Sequence, residues 1–229
     1  MTASAPDGQP DDAATGSGAR SEAVPAADVA AAERLVFFSD AVVAIAITLL
    51  ALNLPLPVGT TDAQVWRSLL GHGDDYLAFL ISFAVVGTHW RVHHSVFRYV
   101  ARLGGQVGAS NMIWLLMIVV TPFATRVLTG NGGAGIRLAV YAVVQLIAWL
   151  ALLQMTGRIA RSGLLREDTP PAVITGSQWR AAAMCAAFLV SIPLAFVTRW
   201  AFLCWIAPQA AWRGWHRLAA LRSGLPAPR

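Results

Sequence analysis

The stretch RLVFFSDAVVAIAITLLALNL, from Arg34 to Leu54, decides the fold of this chain. From Leu35 onward it is almost wholly apolar, and as a helix it extends about 30 Å, which is the thickness of the hydrocarbon core of a bilayer. Pro55 and Pro57 follow the stretch and end the helix. One carboxylate, Asp40, lies inside it. The stretch therefore predicts a transmembrane helix that carries an acidic group near its first end.

The rest of the chain has the composition of a protein that crosses the membrane several times. Of its 229 residues, 56% are hydrophobic and 13% are charged, with a mean hydropathy of +0.57. Average soluble domains are about 25% charged. All 17 basic residues are arginines, and they lie mostly between apolar runs rather than on one exposed face, which argues against nucleic-acid binding. Cys185 and Cys204 are isolated in apolar stretches and predict neither a disulfide nor a metal site.

The apolar runs predict an all-α membrane protein with six transmembrane helices. Residues 1–30 are rich in Ala, Gly, Pro, Ser and Asp and are expected to be a disordered cytoplasmic tail. Residues 31–212 form the predicted membrane domain, and residues 213–229 form a basic cytoplasmic tail. The predicted helices are residues 35–54, 76–97, 107–128, 136–155 and 179–196, with a short sixth that ends at Trp212. The segment between the first two helices is interpreted as a polar loop.

The arginines predict the orientation of the chain. Six spans place both termini on one side of the membrane, and with that side inside the cell most arginines fall in the inner segments. Arg67, Arg126, Arg137 and Arg199 fall in the outer ones. This bias places both termini in the cytoplasm and the protein in the inner cell membrane.

Polar residues of three predicted helices fall at one depth near the inner face. They are Arg34, Ser39 and Asp40 on the first helix, His89, Trp90 and His93 on the second, and Ser110 and Asn111 on the third. We expect Ser39 and Asp40 to accept hydrogen bonds from the other two helices, because an unpaired buried carboxylate is costly. The simpler alternative is that Asp40 marks the end of a helix and reaches water.

Two chemical interpretations of the same residues are weaker. His89 and His93 are four residues apart and share a helix face, but no third metal ligand with suitable spacing appears. Ser39, Asp40 and His93 are the residue types of a catalytic triad, yet adjacent helical residues point about 100° apart. Neither a resident metal nor an enzyme activity is therefore expected.

The first helix also carries a regular stripe of residues: Ala41, Ile45, Thr48 and Leu52. On pattern alone, ordinary packing or lipid contact is the simpler interpretation of this stripe. The alternative is a pore wall, in which Ile45 and Leu52 narrow and dewet the path and Thr48 supplies an oxygen to an ion. No TVGYG selectivity loop occurs in the sequence.

Several of these motifs resemble the transmembrane-protein-175 family of endolysosomal and prokaryotic potassium channels. The motif Arg34-x-x-x-Phe38-Ser39-Asp40 opens the first helix, Trp90-x-x-His93 lies in the second, and Asn111 in the third, as in that family. The resemblance covers residues 33–212. It implies a homotetramer whose first helices line a central pore that passes potassium ions without a cofactor.

The resemblance also implies roles for individual residues. Ile45 corresponds to the family's hydrophobic constriction, Thr48 to its selectivity-related hydroxyl and Leu52 to a further apolar ring. Arg34, Phe38, Ser39, Asp40, Trp90, His93 and Asn111 correspond to a polar network that holds the pore helix at its inner end. A proton-coupled transporter with Asp40 and His93 as relay residues is the main alternative, and a membrane scaffold without transport is another.

Overall fold

The computed structural model describes residues 26–198 and 200–208, without the side chains of residues 26–28 and 105. Its long elements are all helices: α1 Ala26–Ala51, α2 Asp62–Gly71, α3 Gly73–Phe97, α4 Gly105–Thr129, α5 Ala134–Arg161 and α6 Pro171–Leu194. In the described part, α1, α4, α5 and α6 are each long and apolar enough to cross a membrane, and α2 with α3 forms a fifth candidate span bent by 55°. The all-α, multi-span expectation is therefore confirmed.

The predicted count of six transmembrane helices is not confirmed. After α6 the chain turns, and residues 203–208 form a short helical segment. This segment is too short to span a bilayer by itself. The end of the predicted sixth helix, at Trp212, lies outside the described residues.

Two helices begin many residues before their predicted starts, and one further helix was not predicted. α1 begins at Ala26, inside the predicted tail, because its first turns are rich in alanine, the strongest helix former. α6 begins at Pro171 rather than Trp179. Proline suits the first position of a helix because the backbone nitrogen there makes no hydrogen bond within the helix. α2 occupies the predicted polar loop. At its start, the Thr61 hydroxyl accepts a hydrogen bond from the backbone N–H of Gln64. A Thr-x-x-Gln capping signal was therefore present in the sequence.

The long helices pack around an aromatic core. α4 packs along α5, α5 along α6, and α1 rests on α3 and α4. Trp114, Tyr141, Trp149, Phe188 and Trp205 are fully buried between them. As a result α1 is held along one side only, at the edge of the subunit.

Three segments meet at one end of the bundle, which we call the foot: the start of α1, the α3–α4 loop and the α5–α6 loop. The two loops are joined by an antiparallel bridge between Val100 and Leu165. Backbone hydrogen bonds from Ala101 N to Leu164 O and from Arg166 N to Tyr99 O, both 2.9 Å, fix the bridge. The segments assigned to one membrane side by their arginines thus lie together.

Candidate functional site

Asn111 joins α1 and α3 through α4 near the foot. Its Nδ2 donates to Ser39 Oγ at 3.0 Å, and its Oδ1 accepts from His93 Nε2 at 2.9 Å. Ser39 Oγ in turn donates to Leu35 O at 2.7 Å. The Ser39, His93 and Asn111 side chains are completely buried. We call these three residues the foot triad. Each comes from a different helix, and together they join α1, α3 and α4.

Aromatic rings fix the plane of the His93 imidazole. The ring stacks between Phe97, at 4.1 Å, and Trp114, at 4.4 Å between centroids. Its Nδ1 is buried and has no hydrogen-bond partner among the described residues. The ring is therefore held by stacking and by one hydrogen bond, the one to Asn111.

Asp40 is satisfied by a different partner. The Trp90 indole N–H donates to Asp40 Oδ1 at 3.0 Å, and the indole stacks on His94 at 5.4 Å between centroids. Asp40 is half-buried and Trp90 is 39% exposed, so the pair lies at the open edge of the subunit. No hydrogen bond joins Asp40 to His93 in the part of the chain that the structure describes.

Two residues assigned to the polar network by resemblance lie outside it in the subunit. Phe38 is 52% exposed. Arg34 is exposed, and within residues 26–198 and 200–208 no hydrogen bond or ion pair joins it to the foot triad or to Asp40. His89, expected beside Ser39 and Asp40, belongs to another group of residues.

That second group was not found from the sequence, and we call it the core chain. Trp114 Nε1 donates to His89 Nδ1 at 3.3 Å, His89 Nε2 lies 3.2 Å from Gln145 Oε1, and Gln145 Nε2 donates to Thr121 Oγ1 at 3.1 Å. An indole N–H can only donate, so the His89 hydrogen is on Nε2 and points at Gln145. The signal was an amide side chain inside the apolar run of α5.

A further buried group lies beyond the core chain, on the side away from the foot. Thr125 Oγ1 is 2.8 Å from Ser82 Oγ, which donates to the Tyr141 hydroxyl at 3.2 Å. These residues belong to α4, α3 and α5. Ser82, Thr125 and Tyr141 are thus paired with one another, as a low-dielectric surrounding favours.

The stripe on α1 faces away from all of these groups. Ile45 is 60% and Leu52 80% exposed, and Thr48 is exposed beside them. The opposite side of α1 buries Val43 and Leu50. Thr48 Oγ1 donates its hydrogen to Ile45 O at 2.8 Å, so the hydroxyl oxygen can still accept a further contact.

No group of three or more potential metal ligands (His, Cys, Asp, Glu) is found in the described part of the chain. His89 and His93, the two residues behind the metal interpretation, each direct a ring nitrogen at an amide side chain instead.

Comparison with known proteins identifies the group of proteins to which this arrangement belongs. The family model described as endosomal/lysosomal potassium channel TMEM175 matches residues 34–122. A potassium channel of Streptomyces collinus is 31% identical over 172 residues, covering 72% of this chain and 82% of the relative. This chain belongs to the TMEM175 family.

Two further matches agree with this assignment. The crystal structure of a lysosomal potassium-selective channel TMEM175 homolog from Chamaesiphon minutus superposes with a TM-score of 0.67 at 27% identity, covering 80% of this chain and 98% of that one. The endosomal/lysosomal proton channel TMEM175 of Gallus gallus is 37% identical over 100 residues, which are 40% of this chain and 20% of the relative. TMEM175 proteins are membrane ion channels, so this chain is a multi-pass membrane protein of a channel family rather than an enzyme family.

Proposed function

We propose that this TMEM175 protein is a passive potassium-permeable channel in which four copies of α1 surround a central ion path. The observation that carries the proposal is the division of α1 into two faces. One face is buried against α3 and α4, and the other, with Ile45 and Leu52, is largely exposed in the single subunit. A central axis formed by four such faces covers this apolar surface.

The side chains on the open face suit an ion path with a dry constriction. Rings of Ile45 and Leu52 narrow the path and exclude water, which limits the passive leak of ions. Thr48 lies between them and is exposed, and its hydroxyl oxygen can still accept after donating to Ile45 O. Four such oxygens replace part of the hydration shell of a potassium ion.

The foot triad and the Asp40–Trp90 pair hold α1 at the correct rotation. Because Ser39 and Asp40 are bonded to different helices, α1 cannot turn about its axis without breaking one of the two contacts. A fixed rotation keeps the stripe directed at the axis. In this proposal the channel domain includes α1 from Ala26 and extends to residue 212, and a basic tail follows at residues 213–229. Both ends of the chain are cytoplasmic, and the protein lies in the inner cell membrane.

The substitution Ile45→Asn tests the constriction. A polar side chain lets water enter the narrow ring, so potassium flux into liposomes should rise roughly tenfold, equivalent to a barrier lower by about 1.4 kcal/mol. Selectivity over sodium should fall at the same time. Ile113→Asn is the matched control, because Ile113 is an exposed isoleucine on α4. Equal flux from the parent and Ile45→Asn proteins would remove Ile45 from the ion path.

Proton-coupled transport is the competing function, and the Gallus gallus relative is named a proton channel. A relay through Asp40 and His93 needs a proton path between them. In the structure the Asp40 carboxylate instead accepts a hydrogen bond from Trp90, and His93 Nε2 is bonded to Asn111. We therefore expect potassium flux to follow the potassium gradient with the pH equal on both sides. Flux that requires a pH difference would favour the transporter instead.

A further inference from the structure

A cleft at the foot of the subunit is used neither by the foot triad nor by the stripe on α1. It lies between the first turns of α1 and the two bridged loops and has a volume of about 570 Å³. Much of its wall is apolar, including Val29, Val36, Phe37 and Phe97. Val29 is 39% exposed, so the apolar wall reaches the surface of the subunit.

Two arginines line this cleft, one from each bridged loop. Arg98 and Arg166 both line it. The backbone hydrogen bond between Arg166 N and Tyr99 O ties the two loops together at this point. The bridge therefore holds the backbone of both arginines beside the apolar wall.

The charges of these arginines are only partly compensated. Arg98 donates to the Tyr99 hydroxyl at 2.8 Å and lies 4.8 Å above that ring, but the phenol is neutral. Arg166 pairs with Asp168 at 3.4 Å, and both side chains are exposed, so solvent weakens the pair. Glu33 supplies the carboxylate on the α1 wall of the cleft.

The foot as a whole is rich in arginine. Arg34, Arg102, Arg158 and Arg161 lie in the same helix ends and loops. By the arginine bias along the sequence this end faces the cytoplasmic leaflet, which carries anionic lipid. An apolar wall beside two arginines at this depth matches a molecule with an anionic head and a hydrocarbon chain.

We propose that the cleft binds an anionic phospholipid. The phosphate group lies against Arg98 and Arg166, whose planar forks suit phosphate oxygens, and an acyl chain follows the apolar wall past Val36 and Val29. The bound lipid fills the space between α1 and the α3–α4 and α5–α6 loops. This site is separate from the ion path and does not depend on the proposed function.

Lipid binding to the purified full-length protein tests the site. Native mass spectrometry with phosphatidylglycerol should show a bound lipid whose affinity falls roughly ten- to thirtyfold in Arg98→Gln/Arg166→Gln, at about 1 kcal/mol for each arginine. Arg67→Gln/Arg126→Gln removes the same charge from the opposite end and should bind as the parent does. Phosphatidylcholine should bind the parent and both double variants equally weakly.

Three results would overturn the proposal. Equal phosphatidylglycerol affinity of the parent and Arg98→Gln/Arg166→Gln proteins would show that the cleft is not the site. Lipid binding that appears only after removal of residues 1–25 would assign the cleft to that acidic segment of the chain. A change in the number of subunits in Arg98→Gln/Arg166→Gln, with no dependence on lipid, would assign the cleft to a neighbouring copy.

Discussion

At the scale of single residues, Asn111 is the polar side chain near the foot that hydrogen-bonds to two other helices. Its amide both donates and accepts, so one residue connects Ser39 of α1 with His93 of α3. A leucine of similar size preserves the packing but offers neither group. The His93 N–H and the Ser39 oxygen then face an apolar side chain, and a buried unpaired polar group is costly.

Asn111→Leu should therefore lower the stability of the subunit by about 1–2 kcal/mol, measured by titration with sodium dodecyl sulfate. Ser39→Ala is the graded control, because the serine hydroxyl also bonds within its own helix, to Leu35 O, and its loss leaves His93 paired. Its effect should be smaller. If Ser39→Ala proves the more damaging change, Asn111 is not the link between the helices.

At the scale of elements, α5 is tied to its neighbours by hydrogen bonds as well as by apolar packing. Gln145 takes the hydrogen of His89 on α3 and donates to Thr121 on α4. Tyr141, one helical turn earlier, accepts from Ser82 on α3. Between helices in a membrane, apolar packing alone gives little preference for one helix rotation over another, so these bonds fix how α5 is turned against α3 and α4.

Gln145→Leu tests this role of α5. The change removes both bonds and leaves the His89 N–H without its acceptor, so we expect a loss of about 1–2 kcal/mol in the same detergent titration. Gln154→Leu is the matched control on the same helix, since Gln154 is exposed and its only described side-chain contact is with Ser110, at 3.4 Å. Equal stability of the two variants would mean that the core chain does not hold α5.

At the scale of the whole molecule, the single subunit leaves one face of α1 open. α1 contacts α3 and α4, whereas α6 packs on α5 and α3 at a distance from it. An exposed apolar face on a membrane helix is covered either by lipid or by other subunits. The proposed tetramer uses α1 at the centre and leaves outer helices to contact lipid.

Cross-linking between subunits distinguishes these arrangements. In a chain whose Cys185 and Cys204 are replaced by alanine, Leu52→Cys should form disulfide-linked dimers under mild oxidation, because four copies of this position approach one axis. Leu189→Cys, exposed on α6, should remain monomeric on a denaturing gel. Cross-linking of Leu189→Cys but not of Leu52→Cys would place α6 at the axis and α1 at the rim.

The sequence was sufficient for those features that depend on local pattern. Apolar runs of bilayer length predicted α1, α4 and α5, and the division of α1 into two faces followed from the helical repeat, because both depend only on the spacing of side chains along one helix. The pairing of Ser39 and Asp40 with residues of the second and third helices was also predicted, since an acidic group inside an apolar run requires nearby partners.

What the tertiary structure decided was which partner each polar group has. Trp90 rather than His93 bonds Asp40, Asn111 rather than a histidine bonds Ser39, and His89 turns to Gln145. These choices depend on the rotation and depth of each helix relative to its neighbours, which the pattern along one helix does not contain. The bridge that brings Arg98 beside Arg166 was also decided by the tertiary structure, because it joins two loops that are distant in the chain.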